Sequence, residues 1–331
     1  MTDGSTIYSS ILDRIGRTPL VELGGIRPEG CARILLKIEA ENPTGSMKDR
    51  MALAMIEAAE ADGRLNPGGH VVEYTGGSTG VSLAMICAAK GYTLSIVTSD
   101  AFSLEKRNHM AALGAALTIV PSDNGKMDEA LTRNMVEAAR VITEESGGFW
   151  TNQLANADQI SAYHRMGDEI WEQTGGKLDA FVAMTGTAAC SRGNSEALHR
   201  HNAAIHCVAV EPAESPVFSQ GRTGAHKIEG TGAGFVVPLW DETLVDEISI
   251  VSTQDAITTC RKLAASEGIF GGTSTGGNVA TAIRLGIKLG PDATIVTIMC
   301  DNGVKYLTTA VYAAGADKAR IWDGSRPEDK T

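Results

Sequence analysis

The chain is 331 residues long, with six cysteines and a formal net charge of −11. At roughly 150 residues per domain, that length implies about two domains, able to bury about 75% of the unfolded surface without a disulfide or metal staple. The acidic balance excludes a general nucleic-acid binder or a binder of anionic membranes, since both need clustered Lys and Arg.

Residues Met1 to Thr6 lack a basic region followed by an apolar core, so no signal peptide is expected. The longest largely apolar stretch, Val81 to Ala89, is far short of the ~20 residues that span a bilayer. Cys31, Cys87, Cys190, Cys207, Cys260 and Cys300 show neither Cys-x-x-Cys nor zinc-finger spacing. Reduced thiols in a cytoplasmic protein are therefore expected.

The first strong signal along the chain is Asn42-Pro43-Thr44-Gly45-Ser46-Met47-Lys48-Asp49-Arg50. Met47, Met51, Ala54, Met55 and Ala58 follow with helical spacing. Ser46 and Asp49 have the spacing of a capping box, which places Lys48 in the first helical turn. A lysine is disfavoured at that positive end of the helix dipole. The helix terminus and Arg50 would lower the Lys48 pKa, while Asp49 would raise it. A depressed pKa suits a Schiff-base lysine; a surface lysine tolerated at small cost is the plain alternative.

A strand, a Gly/Ser/Thr turn and a helix then recur. His70–Tyr74 leads through Thr75-Gly76-Gly77-Ser78-Thr79-Gly80 into a helix over Val81–Lys90. Tyr92–Thr98 precedes a helix over Ser103–Leu113, and Leu117–Val120 precedes one over Met127–Ser146. Ala180–Met184 runs into Gly186-Thr187-Ala188-Ala189-Cys190; His206–Glu211 and Ile295–Met299 are further strands. Gly271–Gly277 opens a helix over Asn278–Leu289, and Gly221–Pro238 reads as a long ordered loop. Apolar strands alternating with helices predict an α/β fold with parallel sheets covered on both faces.

Ligands of such folds sit at the carboxyl ends of strands, where glycine turns let backbone N–H groups approach an anion. One such turn by itself is equally consistent with a plain chain reversal; three, each leading into a helix, favour a shared small-molecule site. The Walker pattern is absent, which speaks against P-loop phosphoryl transfer. A dinucleotide site is a rival reading, with Gly77-x-x-Gly80 after a strand and Asp100 where a ribose-binding acid would stand. Against it, Thr75 replaces the first glycine of the fingerprint, and Asp100 also suits a turn.

On these residues the chain resembles the cysteine synthase/cystathionine β-synthase family of pyridoxal-phosphate enzymes, nearest to its cysteine synthase form. The resemblance runs from about Ile11 to Ala314. Besides the Lys48 segment it rests on Gly16-Arg17-Thr18-Pro19-Leu20, Gly76 to Gly80, Leu104-Glu105-Lys106-Arg107 and Gly167-Asp168-Glu169-Ile170-Trp171. His226 to Phe235 and Gly272-Thr273-Ser274-Thr275-Gly276 complete it.

The resemblance implies two lobes, each a mostly parallel twisted sheet with helices on both faces, as in the tryptophan synthase β-like fold (fold type II). Residues 41–152 would form a mobile substrate-binding lobe. Residues 1–40 and 153–316 would form the cofactor-phosphate lobe, and 317–331 a peripheral tail. Members of the family are usually homodimers, and no appended haem-binding or regulatory domain is expected, because the chain ends soon after the catalytic core. Lys48 would form the internal aldimine with pyridoxal 5′-phosphate and then move the substrate α-proton. Gly186, Thr187, Ala188, Ala189 and Cys190 would cradle the phosphate, and Ser274 would hydrogen-bond the pyridine nitrogen. Thr75, Gly76, Gly77, Ser78 and Thr79 would grip the substrate carboxylate with Gln153, and Gly230 would lie over the substrate.

The implied reaction is β-replacement on an O-activated serine through an α-aminoacrylate, with sulfide or another thiol as nucleophile. The alternative is a β-eliminating lyase, of cysteine desulfhydrase or serine/threonine dehydratase type, releasing pyruvate and ammonia. Two loops depart from the cysteine synthase pattern. The carboxylate loop has Ser78 where the family places an asparagine beside the cofactor's phenolic oxygen, and Gly76 where it has a serine. In the phosphate loop Ala188 and Ala189 replace glycines, and Cys190 replaces a threonine donor; Arg192 is near enough in sequence to compensate. The His199-Arg200-His201 run reads as a solvated helix end, and Cys300 as a buried small hydrophobe.

Overall fold

A computed structural model describes residues 7–125 and 127–313. The first half contributes β1 (Leu20–Glu22), β2 (Arg33–Ile38), α1 (Lys48–Asp62), β3 (His70–Tyr74), α2 (Ser78–Lys90), β4 (Thr93–Ser99), α3 (Leu104–Ala112), β5 (Ala116–Val120), α4 (Glu129–Ser146) and β6 (Phe149–Trp150). Then follow α5 (Ile160–Thr174), β7 (Ala180–Met184), α6 (Ala189–His201), β8 (His206–Pro212), α7 (Val217–Gln220), β9 (Glu247–Val251), α8 (Thr253–Glu267), α9 (Thr273–Leu289) and β10 (Thr294–Met299).

These strands form two sheets. The larger has the order β1-β2-β10-β7-β8-β9 and the smaller β5-β4-β3-β6. Every pairing is parallel except β1 with β2. The composition of the central strands explains the layering. All five residues of β7 and all six of β10 are buried, as expected of strands covered by helices on both faces. Glycines let the covering helices approach closely: a Cβ on Gly276 of α9 would stand 2.0 Å from the Ala256 carbonyl of α8. One on Gly193 of α6 would stand 2.7 Å from Cβ of Tyr163 on α5.

The strands and helices expected from the sequence are present within a few residues. The helix expected from Met127 begins at Glu129, because Asp128 is its N-cap and accepts the Leu131 N–H. Strands β1, β2, β6 and β9 and helices α5, α7 and α8 add to the elements expected from the sequence. Gly221–Pro238 is a loop, as expected. The expected tail at 317–331 lies outside the described residues. Among the described residues no helix is long and apolar enough to cross a membrane.

Candidate active site

The carboxyl ends of β3, β7 and β10, with the turns that follow them, open onto one cleft. Its empty volume is about 1160 Å³, open mouth included. Lys48, Thr75, Gly76, Gly77, Ser78, Thr79, Gln153, Gly186, Thr187, Ala188, Cys190, Gly230 and Ser274 all line it. Of the residues expected there, only Ala189 does not; it is packed into the apolar core at the first turn of α6.

Lys48 is held where α1 crosses the end of β10. The Met47 N–H donates to the Cys300 carbonyl at 2.9 Å, and the Lys48 N–H to Ser46 Oγ at 3.2 Å. The expected capping box does not form. The Asp49 carboxylate turns inward instead and accepts from the Thr44 N–H at 2.8 Å and the Ser82 hydroxyl at 2.6 Å. Burial lowers the Lys48 pKa, while Cys190, Cys300 and Asp301 pull the other way. Arg50, expected to help, is instead neutralised by Glu39 and Glu169, each within 2.7 Å. No hydrogen bond or ion pair reaches Lys48 Nζ among the described residues.

In the turn after β3, Gly77 sits at φ 135° and its N–H donates to Thr75 Oγ1 at 3.0 Å. Side chains would not fit. A Cβ on Gly77 would meet Lys106 Cδ at 2.3 Å, and one on Gly76 the Phe102 ring at 2.7 Å. The Thr79 hydroxyl donates to Gln153 Oε1 at 2.7 Å, and Gln153 Nε2 to the Tyr74 carbonyl at 2.7 Å. Ser78 donates to Asp301 Oδ2 at 3.1 Å. Asp100 belongs to a plain turn: it accepts the Ser122 N–H at 2.7 Å and the Ser99 hydroxyl at 3.1 Å.

The turn after β7 is as tight. A Cβ on Gly186 would stand 2.4 Å from the Gly230 carbonyl. Ala188 takes φ 67°, the left-handed conformation that the glycine-to-alanine change disfavours, and it caps α6 at the amino end. Cys190 accepts from Asn194 Nδ2 at 3.5 Å, and burial raises its thiol pKa well above the ordinary range. Arg192 does not compensate there; its Nε donates along the helix to Glu196 at 2.9 Å.

Several cleft residues escaped the sequence reading. Lys106 Nζ meets Glu229 at 2.7 Å, donates to Tyr306 Oη at 3.1 Å and sits over the Tyr306 ring. Tyr306 in turn donates to Asp301 Oδ2 at 2.8 Å. Phe102, Met127 and Met135 supply apolar wall. Only the order of the motifs hinted at these positions, since single residues far apart in sequence carry no local pattern. Cys300, read as a buried hydrophobe, lies beside Lys48 in the cleft, and burial with loss of hydration raises its pKa to about 12. His201 stacks on Trp171 and meets Asp168 at 2.8 Å, while His199 has Cys207 and Asp246 as neighbours.

This lining suits a flat, anionic cofactor. The first turn of α6 presents N–H groups that have no partner inside the helix, a ready seat for a phosphate. Thr185 Oγ1 and Asp301 Oδ1, both lining the cleft, are buried without a hydrogen-bond partner. A buried amine with a lowered pKa is the group a carbonyl cofactor requires. The fold and cleft thus define a two-sheet α/β enzyme in which Lys48 shares the cleft with an anion seat.

Residues 11–301 match the model of the pyridoxal-phosphate dependent enzyme family, and the chain belongs to that family. It is 38% identical to a cysteine synthase of Staphylococcus aureus over 306 residues, 92% of this chain and 97% of that one. Among solved structures, O-ureido-L-serine synthase matches with a TM-score of 0.89 and 34% identity, covering 95% of this chain and 98% of that one. O-acetylserine sulfhydrylase isoform 3 of Entamoeba histolytica matches with a TM-score of 0.87 and 36% identity, over 98% and 96% of the two chains. Pyridoxal phosphate is accordingly the cofactor of this enzyme.

Proposed function

We propose that the enzyme replaces the β-substituent of O-acetylserine with sulfide, making cysteine. The observation that carries the reading is that Lys48, its amine pKa lowered by desolvation, lines one cleft with the turns 75–79 and 186–190. Bound there, pyridoxal phosphate supplies an electron sink for the substrate's Cα–H bond. Gly186 to Cys190, at the α6 terminus, would hold its phosphate, and the Ser274 hydroxyl its ring nitrogen. The N–H groups of residues 75–79, with Thr79 and Gln153, would hold the substrate carboxylate and so fix which Cα bond faces Lys48. Lys48 Nζ, whose pKa desolvation lowers, takes the α-proton. Phe102, Met127 and Met135 keep water from the reacting carbons, which favours addition of sulfide over hydrolysis. The relatives named cysteine synthase and O-acetylserine sulfhydrylase support this choice of reaction.

A split into one lobe of residues 41–152 and another of residues 1–40 and 153–316, supported by the strand membership of the two sheets, belongs to the same proposal. So does a cytoplasmic homodimer, which the six free cysteines suit. The test is an assay of cysteine formed from O-acetylserine and sulfide, with absorption spectra of wild type and Lys48→Ala. Cysteine formation by wild type alone, with a visible cofactor band that Lys48→Ala lacks, is the expected result. Pyruvate release without sulfide, and no cysteine with it, would overturn the replacement reading.

A further inference from the structure

The cleft's two glycine turns are joined behind the site by a buried hydrogen-bond chain that runs through the connector from β6 to α5. It starts at Glu73 on β3, which is fully buried. Its carboxylate accepts the Thr151 hydroxyl at 2.5 Å, the Gln153 N–H at 2.9 Å and the Tyr74 N–H at 2.9 Å. That fixes the backbone of Gln153, whose side chain grips the first turn through Thr79 and Tyr74. The chain continues from the Gln153 carbonyl, which accepts Gln159 Nε2 at 2.7 Å. Gln159 Nε2 also donates to the Asn156 carbonyl at 2.7 Å, and its Oε1 accepts the Thr187 hydroxyl at 3.3 Å. Thr187 belongs to the second turn.

Among the described residues, Gln159 is therefore the one side chain that bonds to both halves of this path. It is fully buried, lines no part of the cleft, and has both polar atoms bonded. An apolar side chain would fill the same space, but it would leave the Gln153 and Asn156 carbonyls and the Thr187 hydroxyl without those partners. We propose that Gln159 is a positioning residue: it locks the turn that takes the substrate carboxylate to the turn that takes the cofactor phosphate. The proposal rests on the roles assigned to those turns above. It predicts that one substitution, remote from both ligands, weakens the hold on both.

The test is Gln159→Met, which keeps the volume and removes all three bonds. Cofactor affinity is measured by titrating pyridoxal phosphate into resolved apoenzyme, and KM and kcat for O-acetylserine on the reloaded enzyme. The cofactor dissociation constant and KM are each expected to rise about tenfold, the loss of roughly one net hydrogen bond, while kcat falls less. A merely structural glutamine would lower the melting temperature and move neither constant. Thr187→Val covers the case in which Gln159→Met does not fold, and it too should raise KM although Thr187 belongs to the phosphate turn. Gln159→Met/Thr187→Val should weaken cofactor binding no more than Gln159→Met alone, because both changes cut the same bond. Both constants within about twofold of wild type in Gln159→Met, or in Thr187→Val where that variant alone folds, would overturn the proposal. If Lys48→Ala kept the visible band, the reading of the site would fail first; loss of that band with an unaffected Gln159→Met would sink only the positioning role.

Discussion

At the residue scale, the neighbours of Lys48 show how folding reassigns charges that lie close in sequence. Arg50 turns away from Lys48 into a buried cluster with Glu39, Glu169, Lys37 and Thr18. Burial pushes the Glu169 carboxyl up, but hydrogen bonds and charge from Arg50, and then Lys37, outweigh it and bring its pKa down to about 2. A depressed carboxylate pKa stabilises the fold above the unfolded value of about 4.5, and that stability is lost as pH falls towards about 2. The linkage corresponds to about 3 kcal/mol at most. Urea midpoints of wild type should therefore fall steeply between those pH values. Glu169→Gln should be less stable at neutral pH and show a shallower acid limb. An unchanged limb in the variant would show that other carboxylates govern acid unfolding.

At the scale of elements, the site is a property of strand-to-helix turns, and what they exclude matters as much as what they present. Gly186 lies against the Gly230 backbone, so neither side can give way easily. Gly186→Ala should cost about 1–3 kcal/mol, as overpacking does, and release cofactor more readily. Gly24→Ala is the control, because a Cβ there meets nothing within 4 Å and the backbone is not left-handed. Melting temperatures and cofactor retention on dialysis check both. Equal behaviour of the two variants would mean that the turn is looser than its contacts imply. The turn after β7 tolerates Ala188 at φ 67° because the fold, and not the local preference of alanine, sets that angle.

At the scale of the whole molecule, the cleft is spanned by bonds between the element groups of the two sheets. Lys106 on α3 reaches Glu229 and Tyr306 on the far wall, and Ser78 on α2 reaches Asp301. Lys106 and Glu229 are both largely buried, so removing one charge strands the other. Lys106→Met should loosen the wall at 226–234 and at α3, seen as faster amide exchange there with little change in the strands of the larger sheet. KM for O-acetylserine should rise with it. Exchange rates equal to wild type in both segments would show that these bonds do not hold the cleft closed.

The sequence by itself determined the class of fold and the glycine turns of the cleft, because alternating apolar strands and helices and the glycine turns are local patterns, while Gln153, Gly230 and Ser274 were legible only through the family resemblance. It also singled out Lys48, since a lysine at a helix start among family motifs is legible residue by residue. The reason for the lysine's lowered pKa was not legible. Arg50 lies two residues on in sequence, yet desolvation by the surrounding walls dominates, and only packing brings those walls together. The same holds for Lys106, Asp301, Tyr306 and Gln159, whose partners lie up to 223 positions away along the chain. Their roles come from long-range convergence, which tertiary structure decides because hydrogen bonds and charge pairs depend on distance in space.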